Sequence, residues 1–135
     1  MIYNFAQLLK DQFPSELVYT NGRTLIVGQD SIPARNILVM ETGGTEKPWN
    51  RFRNASVQIL ARDDDVTDAR ELAYDVFNFL TSRFGLLLPG VTVNGKLYPG
   101  FKTAQIAAIQ LPHFIGLDTE SRNVYSTNYE IIMEG

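Results

Sequence analysis

Residues 56–84 read SVQILARDDDVTDARELAYDVFNFLTSRF, and this stretch decides the fold class. Its first part alternates apolar and polar residues as a half-buried strand does, and its second part repeats apolar residues at helical spacing. The apolar residues of the second part are Val66, Ala69, Leu72, Ala73, Val76, Phe77, Leu80 and Phe84. We therefore predict a strand followed by a long amphipathic helix from Val66 to Phe84, which Gly85 ends.

Three consecutive aspartates, Asp63, Asp64 and Asp65, separate this strand from the helix. An aspartate at a helix start accepts hydrogen bonds from free backbone N–H groups and offsets the positive end of the helix dipole. A calcium loop needs alternate oxygen ligands, a glycine at its sharp turn and a distal glutamate, and this segment lacks that glycine and that spacing. We predict that Asp64 or Asp65 caps the helix, with Asp68 in its first turn, and that this segment is not a metal site.

The residues before the central stretch predict a short helix and a first hairpin. Apolar residues recur at helical spacing from Ile2 to Phe13, and Pro14 follows as a stop. The pair Asn21-Gly22 lies between two β-rich runs, and both of its residues tolerate the positive φ that a tight hairpin turn requires. Leu17–Thr20 and Thr24–Gly28 should therefore pair antiparallel.

A second hairpin is predicted from residues 34–41 and 55–62, and its connection, residues 42–54, is long for a hairpin. The connection carries Trp49, Arg51, Phe52 and Arg53, which are aromatic and cationic types enriched at interface hot spots. We predict that this arm contacts a partner, with packing onto its own sheet as the alternative. We predict that Arg51 and Arg53 of one subunit meet the acidic start of the helix, which includes Asp63 and Asp64, on the next subunit.

After the helix, Gly and Pro residues divide the chain into strand-like runs at residues 91–93, 103–111 and 123–133. These runs predict a mostly antiparallel sheet. The predicted fold class is α+β: a mostly antiparallel sheet covered on one face by the long central helix and the short N-terminal helix. Residues 1–135 are close to the commonest domain size, so we expect them to form a single domain.

Composition excludes several function classes. The formal net charge of −3 is not that of a protein built to grip a polyanion, so we expect any DNA nearby to pass without specific binding. The absence of cysteine excludes thiol nucleophiles, thiolate metal ligands and disulfides. No stretch approaches the roughly 20 apolar residues of a membrane span, so we expect no membrane partner.

Catalytic motifs are not recognisable in the chain. His113 is the one histidine, and it follows Pro112 in a hydrophobic context where a structural role is the simplest interpretation. No serine lies in a nucleophile elbow. Gly43-Gly44 lacks the lysine, the hydroxyl and the further glycines of a phosphate loop, so a flexible turn is the better interpretation. We expect a non-enzymatic protein without a cofactor.

The order of these parts resembles the small tail terminator and minor capsid (tail completion) proteins of long-tailed bacteriophages. The resemblance covers residues 36–133 and rests on VQILAR, the DDDVTDARELAYDVFNFL helix and the segment AAIQLPHFIGLDTESRNVYSTNYEII. In that family a proline-containing strand, a "D…GR"-like turn and an aromatic "Y..NY" strand close the sheet. Here the turn runs from Asp118 to Arg122, and Ser121 replaces the usual glycine.

The resemblance implies a ring, commonly a hexamer, that caps the finished tail tube and meets the head-tail connector. It implies two partners besides further copies of the chain, the tail tube protein and the connector, with DNA passing through the ring. The implied location is the virion tail, after assembly in the cytoplasm of the bacterial host. Two other classes stay open: a head-completion or tail-tube protein of the same virion, and a small enzyme or ligand-binding domain.

Overall fold

The computed structural model describes residues 2–20, 23–24, 34–46, 52–81 and 83–134. Its helices are α1 (Ile2–Gln12) and α2 (Val66–Leu80). Its strands are β1 (Val18–Thr20), β2 (Arg23–Thr24), β3 (Asn36–Glu46), β4 (Phe52–Asp63), β5 (Arg83–Phe84), β6 (Leu87–Leu88), β7 (Val91–Val93), β8 (Lys96–Tyr98), β9 (Phe101–Ala108), β10 (His113–Leu117) and β11 (Asn123–Glu134). The fold is α+β with a mostly antiparallel sheet, as predicted.

Among the described residues, nine strands form one sheet and β7 pairs only with β8. The main path through the large sheet is β2-β1-β3-β4-β11-β9-β5, with β10 on β11 and β6 on β9. β1 and β3 run parallel, and the other paired strands run antiparallel. This one parallel pair is a departure from the purely antiparallel pairing that the short turns of the chain favour.

The longest strands, β4 and β11, form the centre of the sheet. They pair over their full lengths, from Asn123 opposite Asp63 to Glu134 opposite Phe52. β4 therefore occupies one edge of β11 entirely, and β9 and β10 follow one another along its other edge.

The core is formed by buried residues of this sheet and of the two helices. α2 contacts β4, β11 and β9, and α1 contacts β1 and β3. Alternate residues of the strands point into the core, because successive side chains of a strand point to opposite faces. The largest fully buried side chains are Tyr129, Phe5, Leu9, Ile37, Leu72, Leu80, Leu88, Ile106, Ile131, Val18, Val39 and Val57.

Asp65 caps α2, which confirms the interpretation of the aspartates as a helix start. Its backbone is extended, and its Oδ1 accepts hydrogen bonds from the N–H groups of Thr67 at 2.8 Å and Asp68 at 3.1 Å. These are two of the N–H groups that a helix start leaves without backbone partners. Asp68 lies in the first turn, as predicted.

The predicted end of this helix was wrong. α2 ends at Leu80, and Thr81 adopts an extended backbone as its C-cap. Arg83 and Phe84 form β5 and pair with β9, so strand pairing replaces the last predicted turn. Phe84 is mostly exposed and does not extend the buried stripe, and Gly85 follows a strand instead of ending a helix.

The predicted arm at residues 42–54 was also wrong in its extent. β3 and β4 stay paired as far as Glu46 opposite Arg53. Gly43-Gly44 therefore lies within a strand and not in a flexible turn, after a register shift between Glu41 and Gly43. A bulge of this kind lets a glycine-containing strand keep pairing. What remains of the connection, residues 47–51, lies outside the described residues.

The other predicted elements are found with small shifts. α1 ends before Pro14, and Tyr19 pairs with Thr24 in the first hairpin, whose residues 25–28 lie outside the described residues. The predicted runs 91–93, 103–111 and 123–133 correspond to β7, β9 and β11.

Candidate interaction surfaces

The predicted interface residues lie at the two ends of β4. Phe52 and Arg53 begin the strand and Asp63 ends it, while Trp49 and Arg51 lie outside the described residues. Ten residues of strand separate Arg53 from Asp63, roughly 33 Å at the usual rise. One subunit therefore does not bring Arg53 and Asp63 together, and the pairing of the predicted groups between subunits stays a prediction.

Asp63 and Asp64 differ in their surroundings. The Asp63 carboxylate lies 3.2 Å from the guanidinium of Arg35, which also bonds Glu16 at 2.9 Å. Asp64 is exposed, and its carbonyl oxygen accepts a hydrogen bond from the Asn123 amide at 2.8 Å. Asp63 is thus engaged within its own subunit, and Asp64 is the more accessible of the two to a partner.

The turn between β10 and β11 is organised by Asp118. Its Oδ1 accepts from the backbone N–H groups of Glu120 at 2.9 Å and Arg122 at 3.0 Å, and its Oδ2 accepts from Arg122 Nε at 2.7 Å. Arg62 also reaches this carboxylate at 3.4 Å and donates to the Tyr19 hydroxyl. One carboxylate therefore fixes the turn and neutralises part of the charge of two mostly buried arginines.

Ser121 occupies the position where the resembled family has glycine, and its φ is +61°. A side chain in this left-handed region costs roughly 1–2 kcal/mol because its Cβ approaches the following carbonyl oxygen. Replacing Ser121 with glycine relieves that strain, although glycine also gives the unfolded chain more freedom. We expect Ser121→Gly to raise the free energy of unfolding by about 0.5–1 kcal/mol, measured by chemical denaturation.

Asn94 provides the matched control for this prediction. It lies in the β7–β8 turn with a φ of +53°, and asparagine tolerates the left-handed region better than serine does. Asn94→Gly should therefore leave stability nearly unchanged. Equal effects of the two substitutions would show that left-handed strain at Ser121 is not the cause.

β10 forms an open edge of the sheet. It pairs with β11 on one side, and among the described residues no strand pairs with its other side. Its register shifts between Phe114 and Gly116, so Ile115 is an extra residue in the pairing. The unpaired N–H and C=O groups of an edge strand readily bind another strand.

Exposed apolar side chains accompany this edge. Five large apolar residues are 48% to 64% exposed: Ile109, Leu111, Phe114, Ile115 and Leu117. We call this set the β10 surface. The sequence pattern did not predict this surface, because Pro112 and Gly116 are residue types typical of breaks between strands. The run Phe114 to Leu117 was the available signal, since it is rich in residues that favour strands.

A second exposed apolar group lies on the elements between α2 and β9. Phe84, Leu87 and Leu97 are 63% to 72% exposed. The exposed cations Arg83 and Lys96 lie on the strands of Phe84 and Leu97, and exposed Lys102 of β9 pairs with Leu87. We call these six residues the hairpin surface, because Leu97 and Lys96 belong to the β7–β8 hairpin. The exposure of three large apolar side chains in one segment is typical of a binding surface.

The hairpin is held to α1 by Asn4. This buried side chain donates its amide N–H groups to the carbonyl oxygens of Pro89 at 2.9 Å, Tyr98 at 3.0 Å and Pro99 at 3.1 Å. The rings of Tyr3 and Tyr98 also contact each other, with centroids 5.0 Å apart. The hairpin therefore has a fixed base from which its apolar side chains project.

The other candidate sites give weaker indications of a function. His113 is exposed, and its Nδ1 lies 3.4 Å from the Leu111 carbonyl oxygen. Within the described ranges, no group of three His, Cys, Asp or Glu side chains is arranged to hold a metal ion. Neither of the two described helices is both long and apolar enough to cross a membrane.

No protein-family model matches the chain, and no curated protein matches its sequence.

Proposed function

We propose that this protein is a tail terminator of a long-tailed bacteriophage, a structural virion protein that forms a closed ring on the finished tail tube. The ring stops polymerisation of the tube and joins it to the head-tail connector. The proposal includes a hexamer of identical copies, no enzymatic activity and no cofactor. Its location is the virion tail, after assembly in the host cytoplasm.

The observation that carries the proposal is the β10 surface, a strand edge that no other described strand pairs with, accompanied by five exposed large apolar side chains. An open apolar edge is a liability for a free subunit, and proteins usually cover such an edge or protect it with charge. Coverage by a neighbouring subunit resolves this liability. The type of assembly is taken from the resemblance of residues 36–133 to tail terminators.

The two layers of the subunit fit the same proposal. In the proposed subunit, α2 and α1 together cover one face of the sheet, so that this face is inside the subunit. The opposite face carries polar pairs such as Gln58 with Ser126 at 2.8 Å and Asn54 with Glu130 at 2.7 Å. Ser126 is buried and Asn54, Gln58 and Glu130 are half-buried, so this face is polar but only partly open to solvent. In the proposed ring it borders the channel.

Charge supports passage of DNA without specific binding. The chain has 15 acids against 12 bases. A ring around a DNA path should not bind phosphates tightly, because each contact that neutralises a phosphate adds to the affinity and slows movement. The resemblance names the tail tube protein and the head-tail connector as the other partners.

Two alternatives remain. A head-completion or tail-tube protein of the same virion would share the exposed edge, and a tube protein would form open stacks or filaments instead of one closed ring. A small enzyme or ligand-binding domain requires an enclosed apolar pocket with convergent polar groups. The concavity lined by Gly85, Lys102, Thr103 and Ala104 is open and offers one charged side chain, so this part of the described structure does not meet that requirement.

The proposal is tested by the mass of the purified protein and by removal of its gene. In sedimentation equilibrium, the protein should reach one limiting mass, six times that of the monomer, and should not grow further with concentration. In the phage that encodes the chain, removal of the gene should leave filled heads beside tails of excessive or irregular length. Joined tails of normal length in its absence would overturn the assignment.

A further inference from the structure

The two exposed apolar surfaces lie at opposite ends of β11. The β10 surface borders the start of this strand, where Leu117 pairs with Asn123. The hairpin surface borders its other end, where Thr103 of β9 pairs with Met133 and Lys102 pairs with Leu87 of β6. Ten residues of β11 separate these positions, roughly 33 Å. Leu117 and Leu87 are therefore too far apart to cover each other within one subunit.

The two surfaces carry opposite charge. Residues 76–117 contain the three cations of the hairpin surface and no acid. Next to the β10 surface, Glu120 is exposed in the turn after Leu117, and Asn123 bonds the backbone of exposed Asp64. The nearby cations Arg62 and Arg122 are mostly buried and paired with Asp118. The exposed charge beside β10 is thus negative.

The strands of the β7–β8 hairpin also match β10 in the length available for pairing. The register shift at Ile115 interrupts β10, so only a short strand can pair along it. β7 and β8 have three residues each and pair only with each other among the described strands. Each strand of the hairpin therefore has an outer edge of suitable length.

We propose that the hairpin surface of one copy docks on the β10 surface of the next copy, so that the subunits join head to tail. This inference rests on the proposed ring and names the two surfaces that build it. Leu87 and Leu97 of one subunit cover Ile115 and Leu117 of its neighbour, and the hairpin cations face the acids beside β10. Because the two surfaces differ, the contact is heterologous and each subunit keeps one surface for the next copy. Such a contact closes into a ring when its rotation allows closure.

Complementation between two variants tests this arrangement. The edge variant is Ile115→Ser with Leu117→Ser, and the hairpin variant is Leu87→Ser with Leu97→Ser. Serine removes the apolar side chains without adding charge. Each variant alone should sediment as a monomer at concentrations where the unmodified protein is a ring. An equimolar mixture should form a heterodimer and nothing larger, because only one intact pair of surfaces remains.

Val66→Ser is the matched control, since Val66 is an exposed apolar residue outside both surfaces. It should leave the ring intact. Circular dichroism and a thermal melt establish that each variant is folded.

Chemical cross-linking provides a second measurement that does not depend on weakening the contact. The chain has no cysteine, so single substitutions place unique thiols. A mixture of Leu97→Cys and Ile115→Cys subunits should give cross-linked dimers with a short bifunctional maleimide, and each variant alone should give few. Glu41→Cys should not cross-link with either partner, because Glu41 is exposed in the middle of β3, which β4 separates from β11.

The outcomes separate this inference from the proposed function. If the unmodified protein is a ring and both serine variants still form it, the surfaces are wrong and the ring stands. If each variant is monomeric but the mixture does not associate, the head-to-tail contact is wrong. If the unmodified protein stays monomeric at all concentrations, both proposals fail.

Discussion

Replacing Asp118 with alanine should lower the free energy of unfolding by about 3 kcal/mol, because two mostly buried arginines lose their shared carboxylate. Removing one partner of a buried ion pair typically costs about 3–5 kcal/mol, and the partial exposure of this pair places the effect at the lower end. The substitution also removes the hydrogen bonds to the N–H groups of Glu120 and Arg122 that hold the turn. Chemical denaturation at neutral pH measures the loss.

The effect of Asp118 should depend on pH with a defined sign. Burial alone would raise the pKa of this carboxyl, but the hydrogen bonds from Arg122 and Glu120 and the charge of Arg122 hold the pKa below its ordinary value. A group whose pKa is lower in the folded state stabilises the fold above its unfolded pKa, which is about 4 for aspartate. This stabilisation is lost as the pH falls through the folded value, so the difference from Asp118→Ala should shrink below about pH 4.

Glu120→Ala is the control for the Asp118 prediction. Glu120 contacts Arg122 only at 3.8 Å, and its side chain is 70% exposed. Exposed ion pairs contribute about 0–1 kcal/mol, so this change should be small. A loss for Glu120→Ala as large as that for Asp118→Ala would contradict the central role of the Asp118 carboxylate.

Replacing Gly100 with alanine should lower the free energy of unfolding by about 3 kcal/mol, and it should act on the attachment of the hairpin. A Cβ at this position would lie 2.6 Å from the Leu88 carbonyl oxygen and 2.9 Å from the Gly90 nitrogen. Both neighbours are backbone atoms, so rotation of a side chain cannot relieve the clash. Overpacking typically costs about 1–3 kcal/mol, and an unyielding backbone places this site at the upper end.

Gly95→Ala separates this clash from the general effect of losing a glycine. Gly95 lies at the tip of the same hairpin with a φ of +78°, and a Cβ there would meet no atom within 4 Å. Its substitution should cost about 1 kcal/mol from left-handed strain alone. Equal losses in denaturation would show that the hairpin base yields and that the close approach at Gly100 is unimportant for stability.

The fold was predictable where a local pattern and the tertiary environment agree. The helical spacing before Leu80 predicted α2, because its residues Leu72 and Val76 are buried against the sheet. The aspartates predicted a capped helix start, and Asp65 provides it with local backbone groups. The pair Asn21-Gly22 predicted the β1–β2 hairpin, since a two-residue turn fixes the pairing of its neighbours.

The prediction failed where distant pairing overrides a local pattern. The helical spacing continues to Phe84, but Arg83 and Phe84 pair with β9, which is about 20 residues away in sequence. Gly43-Gly44 is typical of a turn, yet its partners in β4 keep it in a strand. The candidate site depends on such pairing too, because β10 becomes an open edge only when β4 occupies the far side of β11 and β9 ends at Ala108.

The sequence by itself determined the fold class, the start of α2, the short N-terminal helix and the exclusion of cysteine chemistry. Each of these depends on residue types or on contacts within a few residues, which the order of amino acids states directly. The tertiary structure alone decided that Asp118 joins Arg62 to Arg122, that Asn4 fastens the β7–β8 hairpin, and that two oppositely charged apolar surfaces lie at opposite ends of β11. These features join residues 56 to 95 positions apart or depend on which strand edges stay unpaired, and no local pattern encodes either.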